Sequence, residues 1–158
     1  MADLKPPRSS DWTEAEAILA LLQYQRESVV RKVGGLTDEQ ARTRLVDSDT
    51  TPLWLLRHLD RAERMWVLQR FAGGDPGPLD DTVTDADTVA DAISAYQRTW
   101  ELVDKAVAGI DLGAPAAQPG PDGPTSLRWV LLHLLEETAR HAGHADILRE
   151  LIDGSTGR

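Results

Sequence analysis

Apolar residues in this chain recur at the spacing of an α-helix in four separate stretches, and this limits the folds open to it. Within 87–108, Val89, Ile93, Tyr96, Trp100, Val103 and Val107 step by four, three, four, three and four. That is the period of a helix with one face against a core. Within 12–33, Ile18, Leu21, Leu22, Gln25 and Val29 make a second stripe. Asp11 with Glu14 predicts its N-cap, and Gly34-Gly35 predicts its stop. A third stripe starts at Thr51-Pro52, where the hydroxyl caps and the proline forfeits no hydrogen bond. It carries Leu55, Leu59, Ala62 and Trp66 and ends at Gly73-Gly74. The fourth, over 126–153, carries Leu127, Val130, Leu131, Leu134, Ala145, Leu148 and Ile152 and stops at Gly154. Thr37 with Gln40 predicts a short additional turn. Segments 75–85 and 109–124 are rich in Asp, Gly or Pro and read as loops. No run alternates as a strand does, and the tail STGR is expected to fray.

Four amphipathic helices without strands predict an all-α fold, a four-helix bundle, with 1–158 as one domain. The length of 158 residues suits one core. The formal net charge is −9. An acidic surface repels phosphate backbones and anionic headgroups, so nucleic acid and membrane surfaces are disfavoured as partners. The absence of cysteine excludes disulfides, cysteine-ligated zinc and a cysteine nucleophile. Any thiol in the chemistry therefore has to arrive as a bound small molecule. No stretch reaches the roughly 18 apolar residues of a membrane span. MADLKPPRSSDW has no apolar core of a signal peptide. The expected location is cytoplasmic.

The chain has four histidines. His133, His141 and His144 fall on the last helix and His58 on the second long one. On a helical wheel His141 lies about 20° from the centre of the apolar stripe and Glu137 about 60° from it. An imidazole and a carboxylate four residues apart thus point toward the bundle interior, one turn apart. A buried carboxylate needs a partner: an arginine, a protonated histidine or a metal ion. His58 sits at the flank of its own stripe and supplies a third donor. Two histidines and a glutamate leave one coordination position open, as in catalytic zinc sites. The alternative is a polar pair, with Glu137 bonded to Arg140 or His141. Arg61, Glu63 and Arg64 read as surface charges. Trp54, Trp66, Trp100 and Trp129 read as core or dimer contacts, and Asp80-Asp81 and 85–87 as solvated loop caps.

The stretch SLRWVLLHLLEETARHAGHADILRELIDG, with TPLWLLRHLDRAERMW and LLQYQRESVVRKVGGLTDEQ before it, resembles the DinB-like superfamily. It is most similar to the actinobacterial branch of mycothiol S-transferases and domains of unknown function. The N-terminal domain of mycothiol-dependent maleylpyruvate isomerase is a related member. The resemblance spans about Glu14 to Gly154. It implies a four-helix bundle holding a divalent metal on His58, Glu137 and His141. His133 and His144 match no ligand position, and support of a ligand or relay of a proton is open to either. The resemblance further implies a low-molecular-weight thiol, mycothiol, as cosubstrate, and a homodimer. The isomerase has a further C-terminal domain, so the expected reaction is S-transfer to an electrophile, in detoxification. Zinc is the default metal for this donor set, with nickel, iron and manganese chemically compatible. A non-catalytic metal-binding or stress-response module and a metal-dependent hydrolase stay open beside it.

Overall fold

The computed structural model describes residues 5–120 and 122–156. Its elements are α1 (Glu14–Val33), α2 (Asp38–Arg42), α3 (Pro52–Glu63), α4 (Val89–Val107) and α5 (Leu127–Asp153). A π-helical segment, Arg64–Phe71, continues α3 without a break. Helix α1 packs chiefly on α5, and α3 lies between α4 and α5. The four long helices form the expected bundle, and no strand occurs among the described residues. Nor is any of their helices long and apolar enough to cross a membrane. The tail lies partly outside the described residues.

Side-chain caps start each long helix. Thr51, Thr88 and Ser126 accept from the backbone N–H three residues on. Helix α1 starts two residues later than the Asp11 cap predicts. Thr13 is the N-cap, and the Glu16 carboxylate accepts from the Thr13 N–H at 2.7 Å while Thr13 Oγ1 accepts from the Glu16 N–H. The Thr13–Glu16 pair satisfies two orphan donors at once, whereas Asp11 is engaged with Ser9 and Ser10 outside the helix. The Thr37–Gln40 box forms as expected. At the far end of α5, Gly154 adopts φ 76°, the left-handed cap that closes a helix.

The helical pattern that opens at Thr51-Pro52 is not uniformly α. Over Arg64–Phe71 it widens to π geometry. A π turn holds more residues than an α turn, so each residue rotates less about the axis. Trp66 thereby stays on the α5 side, near the line of His58. The last carbonyls of the segment, as at any helix end, have no partner within it. Those of Phe71 and Arg70 accept from the N–H groups of Ala117 and Gln118, both at 2.9 Å. The 109–124 loop is thus tied to the helix end.

Among the described residues the apolar core falls into three clusters, the smallest of them made of Leu55, Ala145 and Leu148 and the other two larger. One gathers Leu22, Trp66, Val67, Val103, Leu131 and Leu134, among others. The second gathers Val29, Leu53, Leu56, Leu59, Tyr96 and Trp100, among others. Between them in sequence lie Arg26 and Glu63, whose side chains are 1% and 0% exposed. They form a two-pronged ion pair at 2.6 and 2.9 Å, and the Tyr96 hydroxyl donates to the same carboxylate at 2.9 Å. Arg26 also reaches Asp104 at 2.9 Å. Glu63 is therefore no surface charge, contrary to expectation. Its partner lies 37 residues away on α1, beyond the reach of any helical spacing rule. Burial holds the Glu63 carboxyl above its ordinary value, and the Arg26 guanidinium and the Tyr96 hydroxyl offset only part of that rise.

Removing one member strands the other charge in the core. Glu63→Ala is expected to lower stability by about 3–5 kcal/mol. Replacing both partners together, Arg26→Met with Glu63→Leu, should recover most of that loss. Chemical denaturation of the two variants checks both outcomes.

Candidate metal centre

Three donors meet between α3 and α5. Pro52 starts α3 so that Leu53, Leu56 and Leu59 face the core, and this leaves His58 on the edge turned to α5. On α5 the buried Leu134, Thr138 and Ala145 set the interior face, with Glu137 and His141 beside it. The ligand-capable atoms of His58, Glu137 and His141 all lie within 4.8 Å of one another. Glu137 Oε1 is 3.0 Å from His58 Nε2 and 3.1 Å from His141 Nε2. The alternative partners of Glu137 are also present: His141, and Arg140 at 3.7 Å from the second carboxylate oxygen.

Each imidazole is held from behind. His58 Nδ1 lies 3.1 Å from Asp81 Oδ2. His141 Nδ1 lies 3.2 Å from His144 Nδ1. Trp54 stacks on the His58 ring at 4.5 Å, with planes 22° apart. Asp81 is thus no solvated cap, and Trp54 packs against the buried Leu55, Ala145 and Leu148 as well as on His58. His133 is remote from this role and sits between Trp66 and Trp129, 4.9 Å from each ring centroid.

Asp81 reaches His58 because three arginines of α3 and its continuation grip the preceding loop. Arg64 donates to the carbonyls of Pro76 and Pro78 at 3.0 and 2.6 Å. Arg61 donates to the Leu79 carbonyl at 3.1 Å. Arg57 donates to the Asp80 carbonyl at 3.4 Å and pairs with Asp87 at 2.7 Å. Arg64 also pairs with Asp60 one turn back, but Arg61 and Arg64 act mainly as clamps on the chain. Sequence reasoning misses Asp81 because nothing periodic links a loop to a helix. The run of Arg57, Arg61 and Arg64 at helical spacing, opposite a Pro-rich loop, is the available signal.

The electrostatics of the site follow from crowding. Burial would raise the Glu137 carboxyl, but the bonds to His58 and His141 outweigh it and hold the group below its ordinary value. His141 also titrates below its ordinary value: burial and the neighbouring His58 charge disfavour the cation more than Glu137 favours it. Here the unfolded chain binds more protons than the folded one as pH falls from 6.5, so metal-free protein loses stability in that direction. His141→Asn is expected to flatten the fall between pH 6.5 and the lowered value, read by denaturation across a pH series.

The family model for Mycothiol-S-transferase matches residues 17–154. Among curated proteins, none matches the chain. In fold, the chain is similar to a DinB-like protein from Bacillus cereus, with a TM-score of 0.69 and 18% identity, over 86% of this chain and 91% of that one. It is also similar to a conserved protein from Enterococcus faecalis, with a TM-score of 0.68 and 16% identity, over 91% of this chain and 99% of that one. With a match that runs from within α1 to the end of α5 and takes in His58, Glu137 and His141, the chain belongs to the mycothiol S-transferase family and has the fold of the DinB-like proteins.

Proposed function

We propose that this protein is a metal-dependent S-transferase that uses His58, Glu137 and His141 to hold a divalent cation. One observation carries the reading: three donors of the right type share one point between α3 and α5. The donor set fits such a cation on a further ground. His58 has a carboxylate at each ring nitrogen, Asp81 at Nδ1 and Glu137 at Nε2. A neutral imidazole has a single N–H and can satisfy only one of them. With the proton on Nδ1 toward Asp81, the Nε2 lone pair faces Glu137 oxygen, an acceptor against an acceptor. A cation between them resolves this conflict without protonating the ring.

A divalent cation held by His58, Glu137 and His141 would supply a Lewis acid, which lowers the pKa of a thiol and so favours its thiolate near neutral pH. Asp81 fixes the tautomer and direction of His58, as carboxylates behind ligating histidines do. His144 orients His141, and Trp54 covers one face of His58 and shields it from water. Glu137 would offset one of the cation's two positive charges. The thiolate sulfur forms a bond to an electrophilic carbon, the leaving group departs with its electron pair, and the thiol proton passes to solvent. Mycothiol is the thiol supported by the family match. Zinc is the metal to test first, with nickel, iron and manganese next.

Tag-free protein should contain near one metal per chain by mass spectrometry. His58→Ala, Glu137→Gln and His141→Ala should each lose it while circular dichroism shows the helices intact. Conjugation of mycothiol to an alkyl halide should run faster with protein than without it and fall to background in Glu137→Gln. Turnover that survives Glu137→Gln overturns the reading. Metal uptake without thiol-dependent turnover would point to a binding module, and ester cleavage without added thiol would point to a hydrolase. Asp81→Asn should weaken metal affinity by about 10–100-fold while leaving the stoichiometry at saturation unchanged.

A further inference from the structure

Glu137 puts its two oxygens to different uses. Oε1 is the atom at the shared donor point, 3.0 Å from His58 Nε2 and 3.1 Å from His141 Nε2. Oε2 lies 3.7 Å from a guanidinium nitrogen of Arg140. Arg140 stands three residues further along α5, and Glu136, one turn before it, holds the same guanidinium by a second ion pair. The Arg140 side chain is 56% exposed and that of Glu137 19%. The arginine therefore stands at the outer rim of the cluster, and the carboxylate spans from that rim to the donor point. Two carboxylates and one guanidinium leave one negative charge, so Arg140 orients Glu137 without cancelling it.

A carboxylate can hold a cation through one oxygen or through both. For a four-coordinate ion the difference decides what else can bind. Two imidazoles and one oxygen leave a place for a cosubstrate, as in catalytic zinc sites. A second oxygen from the same carboxylate takes that place. We propose that Arg140 is a positioning residue that keeps Glu137 Oε2 turned away from the donor point, so that the carboxylate offers a cation Oε1 alone. The inference rests on the proposed reading of His58, Glu137 and His141 as cation ligands. A guanidinium has donors enough to serve two carboxylates at once. Glu136 thus keeps Arg140 beside Oε2 when Oε1 leaves the imidazoles for the ion. A neutral side chain at position 140 would leave Oε2 with water, and rotation of the carboxylate would bring it onto the cation. An ion pair this exposed adds little to folding stability, so the effect of the arginine falls on the site and not on the fold.

Cobalt(II) is the probe, because its visible absorption is intense in four-coordinate sites and weak in five- or six-coordinate ones, and it binds the donors that zinc binds. Tag-free wild-type protein should take up near one cobalt per chain and show the intense bands. Arg140→Met should keep the stoichiometry, the helical circular dichroism and the Tm, but lose most of the band intensity. The mycothiol concentration that half-saturates the thiolate-to-cobalt absorption should rise about tenfold or more in that variant. Arg140→Lys, which retains a cation beside Oε2, should restore most of the intensity. Glu136→Gln, which leaves Arg140 to Glu137 alone, should match wild type. Intense bands retained in Arg140→Met overturn the inference, and so do weak bands in wild type. Loss of cobalt from Arg140→Met overturns it too, since the arginine would then be part of what holds the ion. If wild type shows intense bands and mycothiol adds no absorption, the transferase reading fails while the bands still decide the role of Arg140. Failure of wild type to bind cobalt defeats the reading of the triad and takes the inference with it, an outcome read from uptake alone before any variant is compared.

Discussion

The bundle is organised around a charge pair that has no access to water. Arg26 and Glu63 join α1 to α3 at the level where the apolar core divides, and Tyr96 brings α4 to the same carboxylate. Apolar contacts tolerate sliding, because any aliphatic surface satisfies another. A two-pronged guanidinium–carboxylate pair does not tolerate it, because a shift of one residue leaves two desolvated charges apart. The pair therefore fixes the register of α3 against α1. Since α1 packs along α5, it also fixes where His58 stands opposite Glu137 and His141. The candidate site is assembled from two helices, but its alignment draws on three.

The π-helical segment follows directly from this arrangement. Glu63 is the last α-helical residue of α3, and the widening begins at the next position. The helix has to present Glu63 inward to Arg26 while keeping both His58 and Trp66 toward α5. Slower rotation per residue after Glu63 reconciles these demands. The stack of Trp66, His133 and Trp129 then extends the α3–α5 contact beyond the donor cluster.

Much of this was legible in the sequence. The stripe of Val89, Ile93, Tyr96, Trp100, Val103 and Val107 marks α4 almost to the residue, because burial on one face leaves a periodic trace. The wheel positions of Glu137 and His141 follow from the same periodicity, and the two do approach each other. What stayed hidden depends on contacts between distant residues. Glu63 looks like any charged residue on a helix until Arg26 is placed against it. Gln25, not Arg26, fits the apolar stripe of α1, yet Arg26 is the buried one. The π widening leaves no mark, since Trp66, Val67 and Phe71 satisfy an α pattern well enough. Asp81 was invisible because its position depends on a loop path, and loop paths have no period.

That path has a further property. Arg57, Arg61 and Arg64 hold the loop by the carbonyls of Pro76, Pro78, Leu79 and Asp80. A carbonyl is the same whatever side chain its residue carries. The grip is therefore indifferent to the identity of residues 76–80, provided the backbone can follow the same course. The other positions of this segment can change in sequence while the carboxylate behind His58 stays where it is, so long as the three guanidinium groups, Asp81 and Gly77, which turns the chain at φ 70°, are kept. A comparison restricted to letters would find the loop variable and set it aside, although it is the part of the chain that aims the histidine.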